Sequence, residues 1–316
     1  MDAPGLGGYR ADRGMEGLMG LIAGVGLSTA SVAGDIDGLD RELARFAAIG
    51  CEIAELSFQD MFLVAGGRLN LAELRLVEAV TRRHALRYTA HGALAINFMD
   101  EAHLELHRRV CAAMIEAAGA LGATRLVVHG GVWHTPLPEA ELARLRRLEV
   151  ESLAGLAEHA ARHGVTIALE NLPPLPSLPF THDAFALAEQ VAAVNHPAVG
   201  ATLDIGHAYM QATARQQDLA ATLAALSPHI VHIHLQDMFG RPDTVRTWGR
   251  AEKLAYGTGD LHAPPGWGDT PFERLLAPLK PRQGTTMILE LAGHYMHRAA
   301  EALAEAKRLA GLVGTV

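Results

Sequence analysis

Six side chains able to bind metal or move protons stand at or just beyond the ends of short apolar runs. His91 closes RYTAH, His129 closes RLVVH, Glu170 closes TIALE and Asp204 closes GATLD; His234 falls late in IVHIHL, and Glu290 follows MIL. Alternate residues of a strand share a face. In VHIHLQD that parity sets His232 and His234 against Val231, Ile233 and Leu235, and in MILELAG it sets Glu290 between Leu289 and Leu291. Thr89 pairs with His91 and Thr202 with Asp204 in the same way. Two glutamates, an aspartate and at least three histidines gathered at low dielectric repel one another, which raises carboxyl pKa values and costs stability. A divalent cation removes that cost, and mixed histidine and carboxylate donors suit manganese, zinc, cobalt or iron better than calcium.

The positioning elements are regular. Apolar runs at 20–27, 52–58, 87–91, 125–129, 166–170, 200–204, 230–235 and 287–291 read as buried strands. Helical patterns lie between and after them, at 37–49, 71–84, 101–121, 139–163, 182–194, 216–226, 271–279 and 297–312. Thr181 reads as a helix start and Ser227-Pro228 as a stop. Eight βα units without a linker, and no Gly-rich phosphate turn after the first strand, predict a single-domain (β/α)8 TIM barrel over 16–316 rather than an open doubly wound sheet. Polar residues at the C-terminal ends of its strands would then meet at one mouth. Residues 1–15, rich in glycine, read as a flexible tail.

Composition narrows the function. Of 316 residues, 49% are hydrophobic, enough for a sizeable core, and 20% are charged, which excludes a disordered chain. A net charge of −8 argues against nucleic acid or anionic lipid as partner. Cys51 and Cys111 form no metal-type pair and fit a reducing, cytoplasmic setting. No apolar run is long enough to span a membrane. The run 18–27 could imitate a leader peptide, but Asp12 and Glu16 spoil its basic flank, and it reads as the first strand.

In their order along the chain, AHGALAINF, LVVHGG, LENLP, LDIGH, HLQD, GTGD and LEL resemble the xylose-isomerase-like TIM-barrel superfamily. That superfamily unites sugar isomerases and epimerases, including ketose 3-epimerases, with inosose dehydratases and the endonuclease IV group. The resemblance implies one divalent ion, manganese first with zinc, cobalt or magnesium as alternatives, held by Glu170, Asp204, His234 and Glu290. It makes Glu170 and Glu290 the catalytic pair, exchanging protons beside the carbonyl of a ketose or keto-cyclitol, and places His91, His129, His207 and Arg241 at the substrate. It also implies a homo-oligomer. The same enediolate could instead lose water or an aglycone from a 3-keto sugar or inosose. The nuclease branch of the superfamily uses three zinc ions at abasic sites. His91, His129 and Glu170 match its first zinc and His207 one ligand of its third, whose other two form an Asp-x-His ahead of a Gly-x-Gly. Taking Gly257-Thr258-Gly259 as that Gly-x-Gly, WGRAEKLAYGTGD offers no Asp-x-His, and the third site is expected to be incomplete.

Other residues have plainer readings. His232 reads as a hydrogen-bonded core residue, and Glu55 as either core or substrate contact. Trp133, His134 and Trp267 read as loop packing or a sugar-stacking wall. His84, His103, His107, His159 and His163 read as solvated helix faces. The long 236–269 loop mixes Arg241, Arg246, Arg250 and Lys253 with Asp237, Asp243, Glu252 and Asp260, and reads as a solvated charge mixture.

Overall fold

The computed structural model describes residues 20–30, 34–175 and 177–316. The expected tail lies outside the described residues, as does the basic flank of the leader-like run. From Ile22 onward that run is strand.

The eight expected runs form eight parallel strands: β1 (Ile22–Ser28), β2 (Ile53–Ser57), β3 (Arg87–His91), β4 (Ala123–His129), β5 (Thr166–Glu170), β6 (Val199–Asp204), β7 (Ile230–Leu235) and β8 (Thr285–Leu289). They close in sequence order, with β8 returning to β1, into the predicted TIM barrel. Closure requires glycine at one point. A Cβ on Gly26 would sit 1.9 Å from the Ile53 carbonyl oxygen, so β1 and β2 approach only because that atom is absent.

Helices α1 (Ile36–Ala48), α2 (Leu71–Thr81), α3 (Leu104–Ala120), α4 (Glu139–Arg162), α5 (Ala184–Val194), α6 (Ile205–Arg215), α7 (Leu219–Leu226), α8 (Arg250–Tyr256), α9 (Phe272–Leu276) and α10 (Ala299–Ala310) join them. They cover the outward strand residues, among them Ile167, Leu169, Ile233 and Leu235, all fully buried. The start of α5 is set by Asp183, whose Oδ1 accepts from the Ala186 N–H at 2.8 Å; Thr181 instead donates to the Pro173 carbonyl. Two helices escape the hydrophobic pattern. α6 begins directly at Asp204, which caps it by accepting from the His207 N–H at 2.7 Å. α8 is a short helix inside the 236–269 loop.

The barrel base is crossed by Arg125, which donates to the carbonyls of Val231 (3.2 Å) and Gly284 (3.1 Å). Near the mouth, Glu149 of α4 reaches inward with no exposed surface. Its carboxylate accepts from the Gly131 N–H (2.6 Å) and Gln190 Nε2 (2.6 Å), with His182 Nε2 at 2.7 Å. That contact ties α4 and α5 to the Gly130-Gly131 turn just beyond His129. Glu149→Ala leaves these buried donors without an acceptor. We expect it to cost about 3 kcal/mol, read as a lower urea midpoint at unchanged slope.

Candidate metal centre

β5, β6 and β7 carry Glu170, Asp204 and His234 to the mouth, and Glu290 follows β8, its N–H held by the Leu235 carbonyl at 3.0 Å. One donor atom from each of these four lies within 4.8 Å of the others. His91, Glu170 and His234 form a second such group. The Nε2 atoms of His91 and His129 lie 3.4 and 3.5 Å from Glu170 Oε2. That oxygen is buried and has no hydrogen-bond partner. A buried carboxylate oxygen flanked by two imidazole nitrogens and left unpaired is a donor set that a cation could satisfy.

Histidine orientation fits the same reading. A metal-binding imidazole commonly has its outer nitrogen held by a carbonyl or carboxylate, which turns the other toward the ion. His91 Nδ1 donates to the Gly92 carbonyl (3.1 Å) and His207 Nδ1 to the Asn171 carbonyl (3.0 Å). His234 Nε2 donates to Glu55 Oε1 (3.0 Å), leaving Nδ1 facing Glu170 at 3.0 Å and Glu290 at 3.4 Å. Glu55 therefore belongs to the support of the site and stays away from the cavity: it is fully buried, and its other oxygen takes Thr89 Oγ1 at 3.0 Å and lies 2.9 Å from His232 Nε2. His232 is the core residue expected, with Thr286 Oγ1 2.6 Å from its Nδ1.

The expectation of an incomplete third group is corrected. Asp260 and His262 stand with His207 as a third cluster of possible ligands, with Asp260 Oδ2 at 3.3 Å from His207 Nε2 and 3.1 Å from His262 Nε2. Asp260-Leu261-His262 is an Asp-x-His, and the Gly-x-Gly it precedes is Gly266-Trp267-Gly268. Both glycine N–H groups donate to Asp237 Oδ2, at 2.7 and 2.8 Å, and a Cβ on Gly268 would meet the Met238 carbonyl oxygen at 2.1 Å. The tight turn against HLQD is thus this one, and Gly257-Thr258-Gly259 ends α8. Gln236 joins the two halves, donating from Nε2 to Asp204 Oδ2 (3.2 Å) and Asp260 Oδ1 (2.9 Å) and accepting the His262 N–H (2.8 Å).

Electrostatics separates the carboxylates. Burial works to raise Glu170, but His234, His91 and His129 around it hold it well below the usual range. Asp204 and Glu290 are both raised, chiefly by burial. Burial opposes charge on His91 and His262, yet Glu170 carries the first and Asp260 the second up to about 9. His129, with burial dominant, falls to about 4.

Glu170, Glu290, His91, His129 and His207 all line a mouth cavity of about 490 Å³ together with Asp260 and His262. Arg241 does not: its side chain is exposed on the loop beyond β7. Among the described residues the cavity's apolar wall is Leu94, Val132, Leu172, Pro173, Leu175 and Leu178, with no Trp, Tyr or Phe. Trp133 pairs by backbone with Phe180, and Trp267 packs on Tyr295. Both thiols are buried, and burial pushes each up to about 12.

The family described as xylose isomerase-like TIM barrel matches residues 43–312. No curated protein sequence matches the chain. Among solved structures it resembles a D-tagatose 3-epimerase-like protein (18% identity, 91% of this chain and 98% of that one, TM-score 0.65). It also resembles the E. coli 3-keto-D-glucoside 4-epimerase without ligand (18%, 91% and 99%, 0.64). A third is a Thermus thermophilus protein soaked with ZnCl2 (24%, 91% and 98%, 0.61). At these identities the likeness is one of fold.

Any metal taken up by these groups must displace protons. His91 and His262 hold theirs up to about pH 9, and an imidazole binds metal only when the facing nitrogen is free. Metal affinity is therefore expected to rise with pH through neutrality and level off above about 9. Calorimetric titrations at pH 7 in buffers of different ionisation enthalpy should show proton release.

Proposed function

The chain belongs to the xylose isomerase-like TIM barrel family, and from that premise we propose that it is a divalent-metal-dependent sugar isomerase or epimerase acting on a ketose or keto-cyclitol. The supporting observation is geometric: Glu170, Asp204, His234 and Glu290 each bring a donor atom within 4.8 Å of the others, and the two glutamates among them both line the mouth cavity.

Glu170, Asp204, His234 and Glu290 would hold the ion, with manganese preferred and zinc, cobalt or magnesium as alternatives. When bound, the ion supplies Lewis acidity that stabilises the oxygens of an enediolate. Glu170 takes the proton from the carbon beside the carbonyl, and Glu290 returns one. Return to the same carbon from the other side epimerises it; return to its neighbour isomerises the sugar. His129, kept neutral by burial, and His207 offer hydrogen bonds to substrate oxygens at the cavity edge. Arg241 could take part only if its loop moved.

A second reading has an observation of its own. With Asp260 and His262 beside His207, the mouth offers a third group of possible ligands next to the two that share Glu170 and His234, as a three-ion, phosphodiester-cleaving site would need. The two readings part on metal content and substrate. One ion per chain together with deuterium exchange into a ketose favours the first; two or three zinc ions with chelator-sensitive incision of abasic DNA favours the second.

Glu170→Gln and Glu290→Gln are each expected to slow exchange of the substrate carbon proton with heavy water by about 100-fold or more. NMR across a panel of ketoses in deuterated buffer measures this, and circular dichroism checks the fold. Exchange at the parental rate in either variant removes the proposed roles.

A further inference from the structure

Outside the barrel, on the helix layer, the structure brings together three side chains that the reaction does not use. We propose that Glu116 of α3, with His159 and His163 at the C-terminal end of α4, binds a divalent transition-metal ion, zinc above all. His159 and His163 are four residues apart, the spacing that places two side chains on one helix face. Their ring centroids lie 4.7 Å apart. Glu116 faces them from the neighbouring helix, its Oε1 3.4 Å from His159 Nε2. One donor atom from each of the three lies within 4.8 Å of the other two.

Two further observations point to a ligand. His159 Nε2 is buried and makes no hydrogen bond, its polar neighbour being the Glu116 carboxylate at 3.4 Å, a condition a native structure keeps only for a reason. An ion at that nitrogen would satisfy it. Gly119, one turn beyond Glu116 on α3, lies against His163: a Cβ there would meet the His163 carbonyl oxygen at 2.8 Å and Nδ1 at 3.4 Å. The missing side chain lets the end of α4 settle onto α3 and bring His163 to the other two donors.

The donor set of two imidazoles and one carboxylate suits zinc, with a fourth position left to water. One group opposes it. Arg162 Nη2 lies 3.4 Å from His159 Nδ1. With an ion on Nε2, Nδ1 carries the proton and this exposed arginine turns to solvent. The site is separate from the mouth, so it stands or falls independently of the proposed reaction.

The test is equilibrium dialysis of the full chain, made without a metal-affinity tag, against buffered free zinc, with bound zinc counted by elemental mass spectrometry. The parent should hold one zinc per chain more than His163→Gln and one more than Glu116→Gln. Affinity at this position should fall by more than about 100-fold in both, beyond the roughly 10- to 100-fold that loss of an outer-shell partner costs. Melting temperatures in chelator should match across the three proteins, which makes the lost zinc a matter of ligands and not of folding. Equal zinc content in parent and variants at every free-zinc level overturns the proposal.

Discussion

The structure is organised around buried negative charge. Glu55, Glu170 and Asp204 are almost wholly removed from water in the barrel interior, and Asp260 and Glu290 close the group from above. An unpaired carboxylate in such a place costs several kcal/mol or becomes neutral. Each of the five therefore faces imidazole. Glu55 sits between His232 and His234, Glu170 among His234, His91 and His129, Asp204 by His207, Asp260 between His207 and His262, and Glu290 by His234 and His262. Six of the chain's 17 histidines meet this need.

Those contacts also govern the surrounding backbone. Asp204 uses one oxygen to begin α6 and takes Gln236 on the other. Asn171, next to Glu170, crosses to Asp204, donating to its carbonyl at 2.9 Å and accepting its N–H at 3.0 Å. β5, β6 and β7 are thus locked together at the level of the donors, beyond the ladder hydrogen bonds. Gln236 extends the lock to the loop bearing Asp260 and His262. A long loop between strand and helix would ordinarily be mobile, but this one is tied down at Asp237 by its glycine turn and at Gln236 by the segment carrying Asp260 and His262. Positioning of the third donor group is a property of β7 as much as of the loop.

Much of this was legible in the amino-acid sequence, for a definite reason. Period-two alternation and strand-end polarity are local signals, so the barrel and the six strand-end residues could be read directly. Contacts between distant segments carry no such signal. Glu55 has the same inward parity as a substrate-binding residue, and only its fit between two histidines of β7 shows it to be support. Asp260 and His262 were hidden by a choice between two glycine pairs, Gly257/Gly259 and Gly266/Gly268, that composition cannot make. The close approach of Gly268 to the Met238 carbonyl decides it. α6 was hidden because its cap is also a candidate ligand, so LDIGH reads first as the end of a strand. His163 is exposed as its place on the helix suggests, but His159, one turn earlier, is half-covered once α3 is packed beside it, which helix spacing alone does not reveal.

The composition of the cavity wall bears on how specificity is achieved. Stacking on an aromatic ring orients a sugar through its apolar face, yet the wall here is aliphatic, with Leu94 and Leu175 at 53% and 40% exposure. Leucine and valine give shape and exclude water, which strengthens every charge interaction at the mouth, but they impose little orientation of their own. Direction must then come from polar groups on the rim. In the proposed reaction His129, kept neutral by burial, and Gln59 would read hydroxyl positions, while Glu170 and Glu290 would be occupied with the proton. On the proposed function, a cavity built in this way would discriminate among sugars by the pattern of oxygens around the reacting carbon, and would leave the remainder of the substrate to contacts of size alone.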